Sequence, residues 1–172
     1  MSIQDFTGLL GFVAICLVTG IAAGYFTSAG VGAWYEQLRK PNFNPPKWIF
    51  APVWTLLYVM MAVAAFLVWR QVGLWHISIG LFFFQLALNF IWSFAFFWAH
   101  RIGLALADIF MLWLAIIATM MAFATVSPAA AWLLLPYLAW VSFASLLNAS
   151  IWQLNPPKKM RQKLGSGAWN RR

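Results

Sequence analysis

Five stretches of the chain, at about 6–27, 48–69, 77–98, 102–125 and 131–152, carry apolar side chains almost without a break. A helix rises about 1.5 Å per residue, so about 20 apolar residues cross the roughly 30 Å hydrocarbon core of a bilayer. The pattern predicts an all-α fold, a polytopic membrane protein whose five-transmembrane-helix bundle fills residues 1–155. Three connections between the runs are tight: Arg70 to His76, His100-Arg101, and Ser127 to Ala130. Tight turns make antiparallel neighbours and leave little room for a domain outside the membrane. The remaining connection, at about 28–47, is long and rich in Gly and Pro, and loops of this length without regular structure are usually functional or disordered. Trp34, Tyr35 and Phe43 lie within it and need apolar cover, which argues against disorder.

Composition strengthens the membrane reading. Of 172 residues, 64% are hydrophobic and 8% charged, where soluble domains average about 45–50% apolar and about 25% charged. The leader MSIQDF has no Lys or Arg and the first run is longer than an ordinary signal core, so it reads as a retained span rather than a cleaved signal peptide. Cys16 is the single cysteine, which excludes an intrachain disulfide and a cysteine-built metal site. A net charge of +8 suggests nucleic acid at first sight. Its distribution points elsewhere. With five spans, Arg39, Lys40, Lys47, Arg101, Lys158, Lys159, Arg161, Lys163, Arg171 and Arg172 fall on one side of the membrane and only Arg70 on the other. Basic residues favour the cytoplasmic face, so residues 156–172 read as a basic cytoplasmic tail and the N-terminus lies outside. The charge is a topology signal first and an attraction to anionic lipid second. The expected partner is the bilayer, with no nucleic acid, and the expected place is a bacterial cell membrane.

Most of the twelve tryptophans have a simple location. Trp48, Trp69, Trp75, Trp98, Trp132 and Trp152 sit at span ends, where indoles favour the headgroup level, and Trp34 and Trp169 lie outside the spans. Trp54, Trp92, Trp113 and Trp140 fall at membrane depth, where an indole N–H needs a partner inside the bundle. Helical spacing groups them. Gln85, Asn89, Trp92 and Phe96 share one face of the third run, Tyr137, Trp140, Ala144 and Asn148 one face of the fifth, and Trp54, Tyr58, Met61 and Ala65 one face of the second. One such stripe alone reads as a core zipped by polar side chains; three together favour a lined cavity. Counted from the cytoplasmic ends, Trp54, Trp92, Ala144 and Asp108 lie at similar depth and can share a chamber beneath the 28–47 loop.

Asp108 is the only carboxylate at depth within a span and needs protein or water around it. It reads as structural, accepting hydrogen bonds from Trp or Asn side chains or pairing with Arg101, since no chain of carboxylates and histidines suited to a proton relay accompanies it. His76 and His100 fall at span ends, and no metal site is expected. Gly20 and Gly24, with Ala23 beside them, form a small-residue stripe that reads as close helix packing within the bundle ahead of dimerisation.

Several short motifs, taken in order, carry a family resemblance: Trp34-Tyr35, Lys40-Pro41, Asn44-Pro45-Pro46, Pro52-Val-Trp54 with Tyr58, Gln85 with Asn89 and Trp92, Ala107-Asp108, and Pro136-Tyr137 with Trp140, Phe143, Ala144 and Asn148. The chain resembles the translocator protein or tryptophan-rich sensory protein family, also called peripheral-type benzodiazepine receptors, over about residues 6–155. The resemblance implies a five-helix bundle, often a homodimer. It implies a porphyrin of the protoporphyrin IX kind as ligand, alongside benzodiazepine-like and isoquinoline compounds, and no obligatory cofactor. Carried over, the ligand-binding positions are Tyr35, Trp54, Asn89, Trp92, Phe96, Trp140 and Ala144. Animal members bind cholesterol through a segment after the fifth-span alanine that has a Tyr followed by a basic residue. Here the stretch ASLLNASIWQLN has neither, so sterol recognition through it is not expected.

The proline-rich entrance to the second span reads as a hinge and lid. Asn44 is expected to cap the helix, with Pro45 and Pro46 in its first turn. Pro52 lies further in and is expected to free the Trp48 carbonyl and kink the helix. The Pro41-to-Pro46 strap would hold the loop across the chamber's mouth. A receptor or carrier for porphyrin-like tetrapyrroles fits best. The alternatives are a light-dependent porphyrin-degrading enzyme, with Trp54 and Trp140 as redox partners, and a membrane scaffold or regulator of tetrapyrrole and stress metabolism.

Overall fold

The computed structural model describes residues 2–30 and 33–156. The basic tail expected at 156–172 thus lies, apart from its first residue, outside the described residues. The elements are α1 (Ile3–Gly30), α2 (Ala33–Gln37), a 3-10 turn (Lys47–Ile49) leading into α3 (Phe50–Val72), α4 (Ile77–Ser93) ending in a π-helical turn (Phe94–Trp98), α5 (Ile102–Ala124), α6 (Pro128–Leu133) and α7 (Leu135–Leu154). Five spans result: Ile3–Ser28, Lys47–Val72, Ile77–Trp98, Ile102–Ala124 and Pro128–Leu154. Each apolar run of the sequence has become one of them. Neighbours pack in a closed ring, α1 on α3, α3 on α6, α6 and α7 on α5, α5 on α4, and α4 with its π turn back on α1.

The ends of the helices follow local chemistry. The His76 ring accepts a hydrogen bond from the Ser78 N–H and caps α4, and the Ser127 hydroxyl accepts from the Ala130 N–H before Pro128 opens α6. Gly73 closes α3 at φ 77, a left-handed conformation that suits a residue without Cβ. Pro136 has no N–H to offer the preceding turn, and the fifth span breaks for one residue at Leu134. After α4 the chain widens into the π turn, with the Ala99 N–H bonded to the Phe94 carbonyl at 2.9 Å. Two successive phenylalanines, Phe96 and Phe97, are thereby both buried. His100 comes next, at φ 54, and turns the chain into α5.

The entrance to α3 differs from the sequence expectation. Asn44 does not cap the helix, because its side chain is held by Tyr35 instead. Pro46 precedes the 3-10 turn as its capping residue, without a side-chain cap bond, so Pro45 and Pro46 lie before the helix and not in its first turn. Pro52 is the third residue of α3, where an N–H has no helical partner to lose. It lies in the first turn of α3, just after the winding changes from 3-10 to α.

The interior is mostly apolar. Met61, Ala62, Ala64, Ala65 and Val68 of α3 are fully buried, as are Ile79 and Phe82 of α4, Ile116 and Phe123 of α5 and Tyr137 of α7. α1 is the least enclosed span, with Ile15, Val18, Ile21 and Tyr25 exposed on its outer face, as a lipid-facing helix requires. Trp48, Trp75, Trp98 and Trp132 are exposed near the span ends, whereas Trp69 packs on Phe12 and Trp152 over Gly103.

Candidate functional site

The long loop is docked, and each anchor can be traced to a residue. α2 packs Tyr35, 4% exposed, against the rings of Phe96 and Phe97 on the π turn. Its hydroxyl donates to Asn44 Oδ1 at 2.9 Å, while the Asn44 amide donates to the Pro45 carbonyl. Burial holds the Tyr35 phenol above its ordinary pKa, so it stays a donor. Trp34 stacks on the His100 ring with centroids 4.1 Å apart. The Arg39 N–H donates to Asn155 Oδ1 at 3.0 Å, and Asn155 Nδ2 donates back to the Arg39 carbonyl at 2.9 Å. One asparagine at the end of α7 thus stands in for a backbone partner of the loop. Lys40 lies over the Tyr35 ring, and Lys47 is paired with Glu36. Pro41, Asn44, Pro45 and Pro46 span the stretch between these anchors, so the loop is a strapped lid.

Beneath the lid is a cavity of about 410 Å³ between α1 and α3. Gly20, Ala23, Gly24 and Thr27 form its α1 wall, Phe50, Trp54 and Tyr58 its α3 wall, and Tyr35, Lys47, Ser93 and Phe97 close the lid end. The α1 wall exists because its residues are small. A Cβ on Gly20 would lie 2.6 Å from the Tyr58 ring, so this glycine lets the phenol reach inward, whereas no described residue stands within 4 Å of one on Gly24. Ile21, Gly24, Ala51 and Thr55 line the cavity and are also exposed, which opens it sideways between α1 and α3 on the outside of the bundle.

The three polar stripes do not line this space together. They close on one another. The Tyr58 hydroxyl donates to Asn89 Oδ1, and Asn89 Nδ2 donates to the Tyr137 hydroxyl at 3.2 Å, all three residues being buried. Trp92 Nε1 donates to Asn148 Oδ1 at 3.1 Å, and Asn148 Nδ2 to the Ile102 carbonyl. Of the expected binding positions, Tyr35 and Trp54 lie on the large cavity. Trp92, Phe96 and Ala144 line a second, much smaller space of about 20 Å³ that shares Tyr35, Phe50 and Phe97 with the first. Asn89 is engaged by the two phenols between helices. Trp140 packs against Phe50 and Phe143 outside both spaces, with a buried indole N–H that has no hydrogen-bond partner among the described residues. Trp54 bridges the two groups, its ring 6.5 Å from Trp92 and 6.3 Å from Tyr137.

Asp108 departs from expectation. Among the described residues its buried Oδ2 has no hydrogen-bond partner, and no ion pair joins it to Arg101. Seven residues put about 10 Å of helix between the two, and Arg101 is exposed at the start of α5. The carboxylate lines neither the large cavity nor the small space.

Sequence reasoning missed the α1 wall, Phe50 and Phe97. The signal for the wall was present in the spacing of Gly20, Ala23, Gly24 and Thr27. Small residues at that spacing allow close approach, and next to a large neighbour they equally leave a hollow. For Phe97 the fault lies in the assumed period: a π turn moves it inward where a regular helix would have turned it aside.

The geometry offers an aromatic, mostly apolar enclosure with a cation on its wall. Comparisons with known proteins agree with the architecture. The model of the TspO/MBR family matches residues 12–153. The tryptophan-rich protein TspO of Chlorobaculum tepidum is 45% identical over 148 residues, 84% of this chain and 93% of that one. The translocator protein of Bos taurus is 37% identical over 159 residues, 90% and 94% of the two chains. The tryptophan-rich sensory protein of Cereibacter sphaeroides is 36% identical over 152 residues, 88% and 94%. With five membrane-length helices in a closed ring, a docked lid and this extent of matching sequence, the chain belongs to the TspO/MBR family.

Proposed function

We propose that this membrane protein is a receptor or carrier for a porphyrin-like tetrapyrrole, held in the cavity between α1 and α3 beneath the lid. The observation that carries the reading is the cavity itself. Its volume of about 410 Å³ falls in the range of small-molecule sites, about 300–1,000 Å³. Aromatic walls from Phe50, Trp54 and Phe97 suit a broad flat ring system, and Lys47 on the wall could meet an acidic substituent. A macrocycle needs more wall than one space provides. The side chains of Tyr35, Phe50 and Phe97, common to both spaces, are the partition. Their displacement joins the two, bringing Trp92, Phe96 and Ala144 into contact with the same ligand as Tyr35 and Trp54. Benzodiazepine-like and isoquinoline ligands are smaller flat aromatics and fit the same description.

Quenching of tryptophan emission by protoporphyrin in detergent or nanodiscs tests this reading. Wild type is expected to give saturable quenching. Ala144→Thr adds a branched side chain to the small space and is expected to weaken binding about tenfold while leaving a folded bundle, the cost of an overpacked wall being about 1–3 kcal/mol. Unsaturable quenching in wild type rejects the reading. Unchanged affinity in Ala144→Thr rejects the joining of the two spaces and confines the ligand to the α1 side.

A further inference from the structure

Among the described residues, Lys47 is the one cationic side chain on the wall of the α1–α3 cavity, and it is not free. Its ammonium is bound by the Glu36 carboxylate across eleven residues of sequence. Both side chains remain about half exposed, 50% for Lys47 and 62% for Glu36, so the pair sits in water at the mouth rather than in the apolar interior. Lys40 completes the group. Its ammonium lies 4.6 Å from the centroid of the Tyr35 ring and donates to the Glu36 carbonyl, which leaves Glu36 the only anion among these three side chains. Among the described residues, the lid is held mainly by contacts other than the Glu36 side chain. Tyr35, Trp34 and Arg39 anchor it through rings and backbone, while the Glu36 side chain reaches out to the cavity's cation.

We propose that Lys47 is the carboxylate receptor of this cavity and that Glu36 is an internal competitor for it, so that the site selects acidic amphiphiles over their neutral counterparts by an exchange of carboxylates. A ligand with its ring system between α1 and α3 and an acid group at the lid end displaces Glu36 from Lys47. The exchange is electroneutral at the lysine: one carboxylate leaves its ammonium and another takes its place. The released Glu36 faces water and stays close to Lys40. A neutral ligand leaves the Glu36–Lys47 pair intact. Because the pair is exposed, its strength is that of a surface ion pair, and removing the competitor gains a factor of about two to five rather than orders of magnitude. The inference rests on the tetrapyrrole reading and specifies which chemical feature of the ligand is recognised.

The test is a quenching titration of the full chain with protoporphyrin and with its dimethyl ester, which keeps the ring and removes both acids. Wild type, Glu36→Gln, Lys47→Gln and the double variant are compared. Glu36→Gln is expected to tighten the diacid about threefold and leave the ester unchanged, an advantage that shrinks as salt rises from about 0.05 to about 0.5 M. Lys47→Gln is expected to weaken the diacid, leave the ester unchanged, and abolish the effect of Glu36→Gln in the double variant. Equal changes for diacid and ester in Glu36→Gln would show that Glu36 merely shapes the lid and would overturn the proposal. Ester binding with a diacid affinity indifferent to both substitutions overturns it too, while leaving the tetrapyrrole reading intact. Saturable binding of neither ligand to wild type overturns both.

Discussion

Asn89 gives both halves of its amide to phenols on two other helices, accepting from Tyr58 and donating to Tyr137. A buried group serving two partners is hard to replace. Asn89→Leu, similarly branched but larger and unable to bond, leaves two buried hydroxyls without this partner. It is expected to lower stability by about 1–3 kcal/mol, the usual cost of orphaned polar groups, moderated by the modest worth of interhelical hydrogen bonds in membranes. Tyr58→Phe removes one of the two bonds and is expected to cost less than half as much. Thermal unfolding in detergent, followed by tryptophan emission, compares them; a Tyr58→Phe loss equal to that of Asn89→Leu would mean that the Tyr137 bond contributes nothing. These residues were visible in the sequence as polar positions on three helical faces. Whether such faces meet or hold a space apart was not, because periodicity gives the direction of a side chain and says nothing of the distance to the next helix. Tyr58 reaches Asn89 only because Gly20 leaves room behind the ring.

The lid is an element made mostly of side-chain anchors, with little secondary structure beyond α2 and the 3-10 turn. Asn155 supplies both hydrogen bonds at Arg39, so Asn155→Ala is expected to release the strand after α2 and leave the bundle folded. Hydrogen exchange at residues 38–44 should quicken several-fold, with α3 to α5 unchanged. Acid acts on the other end of the lid. The side-chain hydrogen bond from Lys47, and then its charge, hold the Glu36 carboxyl below its ordinary pKa of 4.5. A depressed carboxyl stabilises the docked lid fully above that value and loses its contribution as the pH falls through the folded pKa. The local tie to Lys47 is therefore expected to weaken below about pH 4.5 while the ring and Asn155 anchors keep the lid docked, a local response that hydrogen exchange near residue 47 would find missing in Glu36→Gln. The loop's importance was legible from its length, prolines and aromatics. Its attachments were not, since Arg39 and Asn155 are separated by 116 residues and neither carries a local signal.

For the whole molecule, the count and limits of the spans were legible because about 20 apolar residues have few alternatives to crossing a bilayer. The structure agrees with an odd number of crossings: the lid, the turn at His100 and the end of α7 meet at one end of the bundle. Arg39, Lys40, Lys47 and Arg101 lie at this end, and basic residues favour the cytoplasmic face, so this end is expected to face the cytoplasm. A reporter fused after Arg172 is expected to be active only in the cytoplasm, and one fused before Met1 only outside. The reverse pattern would reject the charge-based orientation. Less legible were the breaks within spans, such as the π turn at Phe94–Trp98, because an extra residue in a turn rotates the later side chains to a new face without changing their hydropathy.

The sideways mouth at Ile21, Gly24, Ala51 and Thr55 opens the cavity on the face that surrounding lipid would cover. An apolar ligand of such a cavity would partition into the surrounding lipid whichever way it entered, and its chemical potential would follow its mole fraction there. Diluting the ligand with more bilayer at constant aqueous volume then unloads the protein, although nothing about the protein has changed. Expressed per litre of water, the dissociation constant grows in proportion to the lipid present. Expressed per lipid, it stays fixed. Vesicle load would then have to be varied alongside ligand concentration in any titration of the proposed site.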